Sequence, residues 1–155
     1  DGAIFFGDGK WSGADTDYLM GERIVLACSP EFKVKHKLET PGDVLDVPLL
    51  HMTSRPDAWE QWLRSNNVMF ENVHGMLFDQ FSTATQAAIA GLGIALLPSF
   101  LISGELESGT LVRAIDASYD SGEAYYFAVS PDRADYGPLQ KFRRWIVEEV
   151  RKASA

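Results

Sequence analysis

Hydrophobic positions in this chain fall in short runs separated by polar, Gly- and Pro-rich stretches, and the spacing inside each run predicts its element. Ala3 to Phe6 is an apolar run stopped by Gly7-Asp8-Gly9. The following Lys10 to Asp17 is polar apart from Trp11, so a strand feeds a long surface loop. Ile24 to Cys28 predicts the next strand, bounded by Ser29-Pro30, and Lys33 to Thr40 reads as a basic, exposed link. Pro41 to Val47 resembles a helical turn and Pro48 to Met52 a short buried strand. Asp57 with Glu60 three residues on is an N-cap signature, and Trp59, Trp62 and Leu63 put a bulky stripe on one face of the helix that follows. Ser65-Asn66-Asn67 ends it, and Val68 to Phe70 and Val73 to Phe78 resume strand character.

The stretch from Phe78 to Pro98, FDQFSTATQAAIAGLGIALLP, organises the rest. Thr83 followed by Gln86 fits a capping box, which predicts a helix starting near Thr83. Ala84, Ala87, Ala88 and Gly91 recur at helical spacing, so the buried face has almost no bulk and the helix can lie close to its neighbour. Gly91 ends the helix, and Gly93 to Leu97, closed by Pro98, reads as a strand covered on both faces. After Pro98 the pattern gives a short helix, a turn at Ser108-Gly109 and a strand over Leu111 to Ile115. The polar Asp116 to Glu123 reads as a hinge, and Tyr125 to Val129 as an aromatic strand. A last helix from Pro138 should bury Leu139, Phe142, Ile146 and Val150 and turn its charges to solvent. Strands alternating with helices predict an α/β fold with mainly parallel pairing.

Composition narrows the function classes. The chain has 155 residues, 46% of them hydrophobic and 23% charged, with a formal net charge of -8. Such a balance fits a soluble globular chain with its own core. It argues against direct wrapping of a phosphate backbone, which needs clustered Lys and Arg. No apolar stretch approaches the ~20 residues of a membrane span, and with no basic-then-apolar stretch at its start secretion is not expected. The single Cys28 reads as a small core residue in a reducing compartment, with the cytoplasm as the expected location. His36, His51 and His74 are widely spaced, and His51 reads as a satisfied strand histidine. Metalloprotease, serine-hydrolase and C-x-x-C motifs are lacking, and Gly7, Gly9 and Gly13 miss the dinucleotide spacing. Asp8, Asp15 and Asp17 lie in a Gly-rich loop, where carboxylates are more often solvated than paired. No catalytic residue, metal or cofactor is expected. The helix that opens in the Ser/Thr-rich turn offers free N–H groups and the positive end of its dipole, where a carboxylate can bind. The plainer alternative is a capped helix before a core strand.

The stretch FDQFSTATQAAIAGLGIALLP resembles the signature of the effector-binding domain of LysR-type transcriptional regulators, in the glycine-cleavage-activator and β-lactamase-regulator branch. DGAIFFGDGKWSG, GERIVLACSPEF, the GTLVR of Gly109 to Arg113 and the closing helix fall in the order that branch would give, so the resemblance covers essentially the whole chain. It implies a periplasmic-binding-protein-like (type II) two-lobed fold, with crossings near Glu22-Arg23 and within Asp116 to Glu123. Residues 23–117 would form a nearly complete second lobe. Residues 1–22 and 118–155 would form a partial first lobe. Opening directly into a strand with no initiator Met, the chain is expected to be the C-terminal part of something longer, with its DNA-binding helix-turn-helix and the start of the first lobe outside it. The partial lobe should then show an open edge and an uncovered apolar face. The resemblance implies a small-molecule effector in the cleft, DNA contact only through the missing domain, no membrane, and a homodimer or homotetramer. Positions matching the family's effector site are Phe6, Gly7, Phe81, Ser82, Thr83 and Tyr125, with Phe81 standing where some relatives carry a small polar residue. A periplasmic solute-binding protein, which shares the fold, is the competing reading.

Overall fold

Five consecutive apolar residues need cover on both faces. Ile24–Cys28 has it: all five are buried, with hydrophobic clusters on both faces, and Ile94–Pro98 and Val112–Arg113 pair along its two edges. The computed structural model describes residues 2–117 and 119–153. In chain order its elements are β1 (Gly2–Gly7), β2 (Asp15–Gly21), β3 (Ile24–Cys28), α1 (Pro30–His36), β4 (Leu49–Met52), α2 (Ala58–Ser65) and β5 (Gly75–Phe78). They continue as α3 (Phe81–Ile89), β6 (Ile94–Pro98), α4 (Ser103–Ser108), β7 (Val112–Arg113), β8 (Ala124–Val129) and α5 (Gly137–Ala153). The chain divides into two compact units, Asp1–Glu22 with Asp120–Ala155, and Arg23–Tyr119.

The unit Arg23–Tyr119 is built on a five-stranded sheet in the order β5-β4-β6-β3-β7. Strand alternation sends Leu26, Cys28, Leu49, Ile94 and Leu96 to one face, where Phe32 of α1 and Trp59, Trp62 and Leu63 of α2 cover them. Val25, Ala27, Leu50, Ala95 and Leu97 face the other way, onto Ala84, Ala87 and Ala88 of α3. The alanine face brings the α3 backbone close to the sheet. Pairing is mixed, not mainly parallel: β4 runs parallel to β5 and β6, whereas β3 is antiparallel to β6 and β7. The βαβ rule governs only β4, β5 and β6, whose crossovers are α2 and α3.

The other unit is a three-stranded antiparallel sheet, β1-β8-β2, with Gly2 to Gly7 paired against Val129 to Ala124. Helix α5 packs Leu139 against Leu19, Phe127 and Val129. The stripe expected on α5 is only partly buried: Ile146 and Val150 are half-buried, and Phe142 remains 42% exposed beside Trp145 at 54%. A helix of 17 residues is about 25 Å long. Three short strands cannot cover it. On the opposite sheet face Phe5, Trp11, Tyr18 and Tyr126 form an aromatic cluster with Trp11 and Tyr18 exposed.

Other expectations need correction. The polar segment read as loop to Asp17 becomes β2 from Asp15 onward, because Asp17 finds an ion-pair partner in Arg143 and can sit in a strand. Lys33 to Thr40, read as a link, is helical in its first half: Ser29 caps Phe32 N–H, Pro30 takes the first turn, and α1 runs to His36. Val68 to Phe70 forms no strand. Of Leu111 to Ile115 only Val112–Arg113 forms strand, although Ala114 N–H still donates to the Leu26 carbonyl. Asp57 stands at the start of α2, but its side chain makes no capping hydrogen bond. His51 is buried in β4 with Nε2 lacking a partner, so it is not a fully satisfied strand histidine. Ser118, in the expected hinge, lies outside the described residues.

Candidate functional site

Within the first unit the antiparallel register sets Phe6 opposite Tyr125 and Gly7 opposite Ala124. The two rings stand 5.0 Å apart at 56°, an aromatic wall at the end of the sheet. The Tyr125 hydroxyl donates to Glu22 Oε1 at 2.7 Å, and Glu22 is only 5% exposed. Three of the expected site residues, Phe6, Gly7 and Tyr125, are thus neighbours, and sequence reasoning missed the fourth member, Glu22. Its signal was faint: one acidic residue between a polar strand and an all-apolar one.

Within the second unit Phe81, Ser82 and Thr83 form the first turn of α3. The helix begins two residues earlier than the capping-box pattern predicts, and Thr83 does not cap it. Its hydroxyl donates back to the Gln80 carbonyl at 2.8 Å, as Thr85 donates to Phe81 at 2.8 Å. The residue at the N-cap is Gln80, whose side chain makes no capping bond, and no acidic side chain stands in the first turn. The leading N–H groups and the helix dipole are therefore uncompensated by the helix's own side chains. Ser82 is exposed at this end. Phe81 is half-buried against the alanine-lined core, with the Arg55 guanidinium 5.1 Å over its ring. Sequence reasoning missed Arg55 too, in the polar turn before α2. Strand β5 delivers the chain to this helix with only Asp79 and Gln80 between.

The other reactive side chains are occupied structurally. Burial pushes the Cys28 thiol up to about 11 against the opposing pull of Lys33, so it is not a thiolate near neutral pH. Burial likewise holds the His51 imidazole below its ordinary range, with a hydrogen bond to the His74 backbone opposing and the charge of His74 reinforcing the shift. Asp17 is tied to Arg143 and Asp8 lies beside Lys10. Among the described residues no cluster of His, Cys, Asp and Glu could hold a metal, and no helix is long and apolar enough to cross a membrane.

The LysR substrate binding domain model matches residues 1–151. The glycine cleavage system transcriptional activator of Escherichia coli K12 is 35% identical over 152 residues, which are 97% of this chain and 50% of that protein. The activator AmpR of Providencia stuartii is 34% identical over 98% of this chain and 51% of its own length. The chain thus spans about half the length of these relatives. Among solved structures, the effector domain of AmpR from Pseudomonas aeruginosa superposes with a TM-score of 0.85 at 26% identity, over 99% of this chain and 73% of that one. The AmpR effector-binding domain from Citrobacter freundii gives 0.84 at 28% identity, over 98% and 75%. The fold is therefore the type II periplasmic-binding-protein-like fold of these regulators, and the chain belongs to the LysR substrate-binding-domain family.

Proposed function

We propose that this chain is the ligand-sensing part of a LysR-type transcriptional regulator, and that the effector is a small molecule carrying a carboxylate. The observation that carries the reading is the start of α3: leading N–H groups without a side-chain cap, an exposed serine and a nearby arginine, in a member of this family. Phe81, Ser82 and Thr83 supply one set of contacts, and Phe6, Gly7 and Tyr125 the other. Because Thr83 spends its proton on Gln80, its backbone N–H rather than its hydroxyl is the donor on offer. A solved Citrobacter freundii effector domain carries threonine-to-valine, serine-to-alanine and tyrosine-to-phenylalanine changes. Its serine and tyrosine positions are 43 apart, the separation of Ser82 and Tyr125. That match supports the assignment. In the same reading residues 1–22 and 118–155 belong to a first lobe completed by preceding sequence, and 23–117 are the second lobe. DNA is bound through an N-terminal domain outside this chain. The regulator works in the cytoplasm as a homodimer or homotetramer. Relatives that are transcriptional activators favour this over a periplasmic solute receptor.

The test is effector-dependent transcription by the full-length regulator. Ser82→Ala should cost less than about 0.5 kcal/mol of stability, as an exposed substitution in a helix start that has no side-chain cap, while the response falls. Thr83→Ala should be equally mild in stability. An unchanged response in Ser82→Ala, Thr83→Ala and Tyr125→Ala together would place the site elsewhere.

A further inference from the structure

At the end of α3 away from the proposed effector contacts, a cavity of about 500 Å³ opens between α1, α3 and the turn after α4, a volume in the range of small-molecule sites. All of its lining belongs to the unit Arg23–Tyr119. The nine residues of α3 set it about 13 Å from the start of that helix, and it includes none of the residues proposed there. A Cβ built at Gly91 would come within 3.6 Å of Ser29 Oγ, so the end of α3 abuts the start of α1. The carbonyls of Gln86, Ala87 and Ala88 are taken by the N–H groups of Ala90, Leu92 and Gly91. Those of Ile89 and Ala90, both on the lining, accept no hydrogen bond among the described residues. Helix α4 reaches the same cavity through Gly109 and Thr110, and neither helix has a basic residue in its last turn. Two negative helix ends therefore meet here without a counter-charge of their own.

The start of α1 does not offset them. Pro30 has no N–H, and the N–H groups of Phe32 and Lys33 are spent on Ser29 Oγ and the Ser29 carbonyl. Glu31 adds a carboxylate to the lining and makes no ion pair among the described residues. We infer that this cavity is a ligand site in its own right and that it takes a small organic ammonium ion. The charge sits among the Glu31 carboxylate and the carbonyls of Ile89 and Ala90, and the carbon chain lies on Phe32 and Ile89, the apolar part of the wall. An anion would face that carboxylate and both helix ends with one unspent backbone donor of α1, the Glu31 N–H. Lys35 is the only positive side chain on the lining. It is exposed, and its flexible stem lets the ammonium turn to solvent when a cation enters. The inference goes beyond the sensing role proposed above and does not depend on it.

Equilibrium dialysis of the full-length regulator against butylamine, putrescine and spermidine reads the binding directly, with 1-butanol and butyrate as the neutral and anionic counterparts of butylamine. At least one amine should bind saturably while butanol and butyrate do not. Glu31→Gln should weaken that amine about threefold or more and Lys35→Gln should tighten it about twofold, since each removes one partly screened charge from the wall. Both are exposed substitutions that leave the fold in place. Ala90→Trp, which sets an indole at the mouth of the cavity from an exposed helix end, should abolish binding. Glu71→Gln is the control, the same charge change at an exposed residue outside the lining. Equal losses in Glu71→Gln and Glu31→Gln would assign the binding to the general attraction of a chain with a net charge of -8, and would overturn the inference. Equal binding of butylamine and butanol, weaker amine binding in Lys35→Gln, or no bound amine at all would overturn it too.

Discussion

Gly75 is the position where one added methyl group should do the most damage, and the geometry says why. A Cβ built there would lie 2.0 Å from the Leu49 carbonyl oxygen and 2.7 Å from Cδ2 of His51. Neither neighbour can yield cheaply. Leu49 is the register partner of Gly75 in the parallel pair of β4 and β5, and His51 is buried in the same strand. Ordinary carbon–oxygen contact is about 3.3 Å, so β5 must move off β4 by more than about 1 Å at its first residue, in a ladder only four residues long. Overpacking of this kind costs about 1–3 kcal/mol, and a backbone carbonyl as the obstacle puts Gly75→Ala at about 2–3 kcal/mol or above. Gly104 is the control. Its Cβ would meet nothing within 4 Å and it lies inside α4, so Gly104→Ala should stabilise by about 0.5–1 kcal/mol through helix propensity. Urea unfolding of both variants beside the parent chain reads the difference directly. The displaced β5 leads to the first turn of α3 through two residues, so Gly75→Ala should also blunt the effector response under conditions where the protein is still folded. A Gly75→Ala protein within about 0.5 kcal/mol of the parent would refute the packing described here.

Two further outcomes follow from buried titratable groups. His51 is held neutral in the fold, so in acid the unfolded chain takes up its proton first. Its contribution to stability is present above the unfolded value of about 6.5 and is lost as the pH falls through the depressed folded value, and His51→Gln should flatten that limb of a stability–pH curve. An acid limb identical in the variant would assign the dependence to other groups. Cys28, with its thiol near 11, has a thiolate fraction on the order of a thousandth at pH 8, so iodoacetamide should label it only after denaturation. Rapid labelling of the folded chain would contradict its burial.

The sequence pattern reveals this fold where a strand has one kind of environment and hides it where environments mix. Strands β3 and β6 are apolar at every position because both faces are covered, and runs of that kind are unambiguous. Helix α2 is legible for a similar reason, since Trp59, Trp62 and Leu63 share one buried face. Strand β2 is different. Asp15 and Asp17 look like loop residues, and only the distant Arg143 makes Asp17 acceptable in a strand. Helix α1 carries Lys33, Lys35 and His36, so its composition reads as an exposed link while its true signal, Ser29 before Pro30, reads equally well as the end of a strand.

The candidate site divides along the same line. Phe6, Gly7 and Tyr125 could be placed beforehand through the family resemblance of the stretches that hold them, and strand pairing sets Phe6 opposite Tyr125 and Gly7 opposite Ala124. Glu22 could not, because its position depends on register. With no extra residue in β2, Leu19 rather than Met20 would stand opposite Tyr125, and each later side chain in the strand would change face. A bulge is invisible to period-two counting. It is a property of two strands at once, and only the pairing of β2 with β8 shows that the carboxylate after Gly21 comes within hydrogen-bonding distance of the Tyr125 hydroxyl. The carboxylate that accepts from the Tyr125 hydroxyl is therefore one that no single segment of the chain could have announced.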